Sequence, residues 1–458
     1  MRYYWLIIFL FSLSFANSMI ISNKADNTNL TIYNQGKVFV EETREVDFIS
    51  GDQIHLHIGG LLQEIIPSTF NLKSQKFNTR SRLFNFTPIS EITLLKSKLG
   101  KTVELVKYSE TGGVGFSTKG KLLSINPPIF DIEGKIVVDP PYEYIFDIIP
   151  QTIQSEPVMN LVGKSSKGRE KIGVSYISNG LSWTTNYILK FNNSKEGVLS
   201  AWYQISNSTD KEFHNVNVDL ASGAIKFAML NYKKDPSQDK RQFEKMMLSS
   251  SVIMDDSQIL KTEDHYLFKL PQLISIPAQN IVEHRFIFDK TIPIKKVYQI
   301  FDNSPRYNSP NETPATIVMK FNSKDCGDFH LPSGNIQVYS MSPKDRASFY
   351  GSAKIPLTRK GADVEISVGM TNDITGNFIQ TSHEYNNKKR ARSIESTFYN
   401  TKNKNVEIEW IVKLNGNWKI SSKSHDFEKI DSHTIKFIIE IAKKSETKAY
   451  YTVKTENN

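Results

Sequence analysis

Apolar side chains recur at every second position through most of this chain, and that period admits few folds. Ile54, Leu56 and Ile58 alternate with His55, His57 and Gly59. Val216, Val218 and Leu220 alternate with Asn217 and Asp219, and Val364, Ile366 and Val368 with Asp363, Glu365 and Ser367. Val406, Ile408 and Trp410 alternate with Glu407 and Glu409. A strand with one buried and one wetted face reads this way, the antiparallel pattern. Gly, Asn and Pro clusters break the runs at short intervals. The pattern predicts a mainly β chain of several antiparallel β-sandwich or small-barrel domains, with immunoglobulin-like elements in the second half. Helical spacing is rare. Glu91 to Leu99 reads as a short amphipathic helix, and Lys240 to Leu248 as another inside a polar insertion from Asn231 to about Lys261.

The N-terminus reads as an export signal. Arg2 precedes the apolar run Trp5 to Ala16, and Ser14 and Ala16 are small residues two apart, which suits cleavage after Ala16 or Ser18. The run is shorter than the ~20 residues of a spanning helix, so no transmembrane helix is expected after cleavage. The expected location is secreted or periplasmic. A mature chain of roughly 440 residues suggests two to four domains. Cys326 is the only cysteine, so an internal disulfide is impossible and a disulfide-rich secreted domain is excluded. Net charge is +9, suited to weak attraction to anionic surfaces. The lysines are scattered without an aromatic-basic platform, so no nucleic-acid partner is expected.

Composition shifts divide the chain into a signal peptide (1–18), an N-terminal β unit (19–90), a short helix with a small barrel-like module (91–153), a third β domain (154–300) and a C-terminal β-sandwich (301–458). An internal echo links 201–218 with 396–408. Each is a strand, an Asn-led polar turn at Asn207 or Asn400, and then Asn-Val-x-(Val/Ile) beginning at Asn215 or Asn405. Adjacent strands of immunoglobulin-like sandwiches often read so.

Motifs with chemistry are incomplete. Gly115 to Leu122 nearly matches a phosphate-binding loop, but Leu122 stands where a hydroxyl must hold magnesium, and a hairpin turn is the expectation. His55 and His57 have a spacing that can bind zinc if further ligands converge. His383-Glu384 lacks the second His of a zinc-protease helix, and no G-x-S-x-G elbow occurs. Lys388 to Arg392 is the densest basic cluster, expected as a solvated loop between strands. Five N-x-[ST] sequons begin at Asn29, Asn85, Asn192, Asn207 and Asn311. No catalytic, cofactor-binding or metal residue is assigned, and no cofactor is expected.

The stretch Tyr176-Ile-Ser-Asn-Gly180-Leu-Ser-Trp183-Thr-Thr-Asn-Tyr187 resembles the "Y-L-T-x-G-L-S-W-x-A-x-Y" signature of a mainly bacterial exported family, domain of unknown function 4139. Tyr33 to Arg44 resembles its N-terminal hairpin, Leu331 to Tyr339 its "L-P-x-G-x-x-x-V-Y" segment, and Leu414-Asn-Gly-Asn-Trp418 a late turn. Thr184-Thr185 departs from the usual small Ala, and the coiled coil of longer members is missing. The resemblance implies a multi-domain β architecture at the envelope, with no activity to carry over. From the residues alone, Asn179-Gly180 reads as a two-residue hairpin turn, and Tyr176 and Trp183 as core groups with satisfied polar tips.

The leading expectation is a non-catalytic exported β-protein with a binding or structural role at the cell envelope, its partner unassigned between envelope protein and polysaccharide, with Phe86, Tyr108 or Tyr339 as aromatics that serve a ligand if exposed. One alternative is an exported hydrolase using dispersed carboxylates or the His55/His57 pair. The other is a polyanion-binding protein.

Overall fold

The computed structural model describes residues 19–109, 113–149, 153–192, 195–223, 266–302, 311–342, 346–386 and 389–456. The signal segment and the Lys240 to Leu248 stretch lie outside them. The described chain is mainly β, in five sheets. No helix among the described residues is long and apolar enough to cross a membrane. The chain forms two compact units. Among the described residues, one comprises those from 19 to 182 with 206–221 and 268–281, and the other those from 183 to 205, 222–223, 266–267 and from 282 to 456.

The first unit holds a four-stranded sheet in the order Met19–Ser22, Gly51–Ile58, Gln154–Ser165, Phe77–Thr87. Its larger sheet runs Tyr266–Lys269, Phe213–Ser222, Asn27–Tyr33, Lys37–Phe48, Gly168–Asn179, Asn71–Lys73. Alternation decides what each strand buries. Val38, Val40, Val46 and Phe48 point inward, and so do Glu42 and Arg44 at the same parity. Arg44 is 1% exposed. Its Nε and Nη2 donate to Glu42 Oε2 at 3.1 and 2.5 Å, and its Nη1 donates to the carbonyls of Ser22 and Gly59 at 2.7 and 2.8 Å. Those carbonyls lie at and just beyond the ends of two strands of the other sheet, so the guanidinium ties the sheets together. Lys211 Nζ adds Glu42 Oε1 at 3.2 Å and the Gly60 carbonyl at 2.6 Å. A buried charge pair is tolerable only when its remaining donors are satisfied in this way.

Residues 91–145 of this unit form the expected short helix, Glu91–Ser97, capped by Ser90 and Thr93, and a five-stranded sheet over Leu95, Val103, Leu105, Leu122 and Phe130. Gly115 to Leu122 lies inside the continuous strand Val114–Ile125. The segment is neither a phosphate loop nor the hairpin turn expected of it. Lys121 back to Phe116 pair with Thr102–Lys107, with a bulge at Gly115, so the segment is extended strand and does not curl round an anion.

Asn179-Gly180 also differs from expectation. The strands on its two sides belong to different sheets: Gly168–Asn179 pairs with Lys37–Phe48, and Leu181–Phe191 pairs with Gly334–Met341. Gly180 is therefore a corner at which the chain leaves one sheet for another. Its φ is +101°, and its amide and carbonyl are held by Gly36 and Ser208, at 3.2 and 2.8 Å. A Cβ here would lie 2.4 Å from Thr209 Cγ2, so both conformation and space require glycine.

The second unit contains a five-stranded sheet, Asn280–Pro293, Glu196–Asn207, Leu181–Phe191, Gly334–Met341, Ala347–Ile355, and a nine-stranded sheet. The nine-stranded sheet curls round Trp410. Its indole meets Phe437 at 4.9 Å, Phe398 and Tyr451 at 5.3 Å and Phe378 at 6.0 Å. The Asn207/Asn400 echo is a shared device. Asn207 Oδ1 accepts from the Thr209 amide at 3.0 Å while its Nδ2 donates to the Lys211 carbonyl at 2.9 Å. Asn400 does the same with Lys402 and Lys404, at 3.0 and 2.8 Å. One amide side chain closes each turn from inside.

Two stability outcomes follow from this packing. Gly180→Ala is expected to lower unfolding free energy by about 2–3 kcal/mol, with Thr209→Ser restoring part of the loss in a double-mutant cycle; an unchanged denaturation midpoint would contradict the corner. Trp410→Ala should cost about 3–5 kcal/mol, read by guanidinium denaturation of the full chain.

Candidate functional site

The candidates drawn from sequence do not assemble into a catalytic centre. His55 and His57 stand side by side on the outer face of their strand, with Asn160 and Ile21 opposite His57 in the neighbouring strands. Burial and then the neighbouring His55 hold the His57 pKa below the usual imidazole range. Among the described residues no three His, Cys, Asp or Glu side chains gather as a ligand set. His383-Glu384 lies on the strand Asp363–Asn386 and not on a helix. Of the basic cluster, Arg390 and Arg392 are strand residues paired opposite Tyr385 and His383, not a loop; Lys388 lies outside the described residues. Asn207 is 1% exposed, so its sequon cannot be modified in the folded chain. Burial pushes the Cys326 thiol up to about 12, which keeps it an unreactive core group. Tyr176 is fully buried as expected, but its hydroxyl has no good hydrogen bond, and burial raises its pKa far above normal.

The aromatic candidates differ in setting. Phe86 is half-buried and Tyr108 is 45% exposed. Tyr339 is half-buried, and its hydroxyl donates to Gln337 Oε1 at 2.8 Å. It belongs to the five-stranded sheet of the second unit, where a shallow depression lies. That depression has a volume of about 230 Å³ and is lined by Asn186, Ile188, Trp202, Glu283, Asn335 and Gln337, with the Tyr187 backbone region beneath.

Alternation builds this face. Leu181, Trp183, Thr185, Tyr187 and Leu189 point inward, so Thr184, Asn186 and Ile188 point outward. In the next strand Leu199, Ala201, Tyr203 and Ile205 are buried, leaving Trp202 and Gln204 outside. Register places Asn186 beside Asn335, and Ile188 beside Gln337. Asn186 Nδ2 donates to Gln204 Oε1 at 2.7 Å and to Glu283 Oε1 at 3.1 Å, which fixes the amide. The Arg285 guanidinium lies 5.1 Å from the Trp202 ring centre and bonds to the Ser200 hydroxyl and the Asp289 carboxylate. The cation is thus neutralised locally while orienting the indole. Below the sheet, Tyr203 stacks on Phe286 at 4.0 Å, Trp183 meets Tyr203 edge-on at 6.1 Å, and the Tyr187 hydroxyl donates to the Pro332 carbonyl at 2.7 Å. That aromatic floor makes the face rigid.

Trp202 was not singled out in the sequence, although it carries a signal: a large aromatic stands at the wet parity of a strand whose other parity is apolar from Leu199 to Ile205. Glu283 and Asn186 gave no such signal, since polar residues at outward positions are ordinary. No protein-family model matches this chain, and no curated protein matches its sequence.

One half-buried acid stands apart. Asp302 Oδ2 accepts from the Tyr451 hydroxyl at 2.7 Å. Burial pushes its carboxyl up to about 6, against the pull of that hydrogen bond and of Arg392. A folded-state pKa above the unfolded one makes this group favour the fold below about pH 4, an advantage lost as pH rises through about 6. Asp302→Asn keeps an acceptor for Tyr451, so it is expected to stabilise the chain by roughly 2–3 kcal/mol at pH 7.5 and little at pH 4. Denaturation curves at both pH values check this; equal effects at the two would contradict it.

Proposed function

We propose that this chain is an exported, non-catalytic glycan-binding protein of the cell envelope, and that the outward face around Trp202 takes an uncharged polysaccharide. The carrying observation is the composition of that face: one indole set among the side chains of Asn186, Gln204, Asn335 and Gln337, with a single carboxylate, Glu283. Sugar rings present an apolar C–H face to an aromatic ring and a rim of hydroxyls to carboxamides, each of which both donates and accepts. The apolar run at Trp5 to Ala16 supports export, and the Gly180-Leu-Ser-Trp183 signature supports kinship with domain of unknown function family 4139.

Glycoside hydrolysis needs two carboxyl groups about 5–10 Å apart across the scissile bond. The depression offers Glu283 alone among its lining residues, and Glu283 already accepts from Asn186. The nearby Asp289 carboxylate is engaged by Ser200 and Arg285. Binding without bond cleavage fits this arrangement. A polyanion would require free cations on the face, whereas Arg285 there is paired with Asp289.

The test is co-sedimentation of the mature protein with insoluble envelope and cell-wall polysaccharide. The protein is expected to sediment with the polysaccharide, with little change between low and moderate salt, and Trp202→Ala should cut retention on the order of tenfold or more. Retention that collapses with salt, or that is unaltered in Trp202→Ala, would contradict the proposal.

A further inference from the structure

The outward face does not end at the depression. Along the strand Gly334–Met341, Asn335, Gln337 and Tyr339 follow one another at the same parity. Gln337, which lines the depression, accepts the Tyr339 hydroxyl at 2.8 Å, so the two are held as one surface. Tyr339 in turn meets Phe349 edge-on, with ring centres 5.7 Å apart, and Phe349 is 63% exposed.

The exposure of Phe349 has a structural origin. The ladder between Gly334–Met341 and Ala347–Ile355 slips at Val338/Tyr339, so that Val338 pairs with Gly351 and Tyr339 with Phe349. The extra residue, Tyr350, turns inward and packs edge-on against Phe191 at 5.1 Å. This bulge aims two successive aromatics to opposite faces. The close approach of Gly351 to its neighbour holds the site of the slip, since a Cβ there would collide with the Val368 carbonyl. A large apolar ring is thereby presented to water at an edge of the sheet, beside a tyrosine whose hydroxyl is already oriented.

We infer that Tyr339 and Phe349 form a second aromatic subsite of the Trp202 face, and that the ligand is a linear, uncharged oligosaccharide lying diagonally across the sheet. This inference rests on the glycan-binding reading of the Trp202 depression. Strand order sets the scale. Trp202 and Tyr339 are two strands apart and Phe349 is one strand further, which sets the aromatic stations at least ~10–14 Å apart at about 4.8 Å between strands. One sugar ring cannot bridge them, whereas a short oligosaccharide can. Gln337 and Ile188, opposite each other between the two aromatic stations, supply an amide and an apolar contact for the middle ring.

Affinity as a function of chain length tests the inference, using calorimetry with N-acetylglucosamine oligomers and glucose oligomers of one to five units. For the native chain, affinity is expected to rise on the order of tenfold or more between one and three or four units, then level off. Phe349→Ala should abolish that rise while single-unit and two-unit binding stays at the native level. Trp202→Ala should weaken every length. Both Phe349 and Trp202 lie on the outward face, so circular dichroism and the denaturation midpoint serve as the check on folding. If Phe349→Ala leaves the length dependence intact while Trp202→Ala weakens binding, the second subsite is overturned and the glycan reading stands. If no oligomer of either series binds the native chain, both fall.

Discussion

The corner at Gly180 is the constraint on which the rest depends. Side chains alternate strictly along each strand, so the residue at which the chain leaves one sheet sets which parity of the next faces the core. Gly180 takes a φ of +101° with the Thr209 methyl packed against it. Starting from that corner, Leu181, Trp183, Tyr187 and Leu189 go inward, and Asn186 and Ile188 are delivered to the outside. A slip of one residue would bury the carboxamides and expose the aromatic floor. The stretch that most attracts attention in the sequence thus shapes the candidate site without being part of it.

Each unit has its own device for holding sheets in place. In the first, Arg44 spans the interior, with Glu42 on one side and two backbone carbonyls on the other. Replacing Arg44 by an apolar residue would leave Glu42 buried with only Lys211 as partner, the expensive way to break such a pair. In the second, a curled sheet closes on the Trp410 cluster, where hydrophobic burial and ring packing act without charge. The Asn207 and Asn400 turns recur because a buried carboxamide satisfies both an amide and a carbonyl of a tight turn with one side chain.

Much of this was legible in the sequence. The alternating sets at Ile54–Ile58, Val216–Leu220, Val364–Val368 and Val406–Trp410 are strands with the predicted buried members, because hydrophobic periodicity is a local property. The helix at Glu91 likewise announces itself through Ser90 and its spacing. The Asn179-Gly180 corner was misread as a hairpin because a glycine's positive φ serves either geometry; only pairing with distant strands such as Gly334–Met341 decides between them. The Gly115–Leu122 stretch was misread as a turn because its glycines and lysines outweighed a strand pattern completed by Thr102–Tyr108. The Trp202 face was not legible as a site. Its members come from four strands between residues 186 and 337, and their convergence is a matter of register rather than of spacing along the chain.

The most direct measurement is a titration followed at the indole N–H groups by NMR. Trp183 and Trp410 are core groups, at 5% and 0% exposure, whereas Trp202 lies on the proposed binding face. With nitrogen-labelled tryptophan and increasing three- to five-unit glucose or N-acetylglucosamine oligomers, the Trp202 signal is expected to shift and saturate, while the Trp183 and Trp410 signals stay in place. A spectrum in which Trp202 does not move with either series, or moves no more than the buried indoles, would contradict the account.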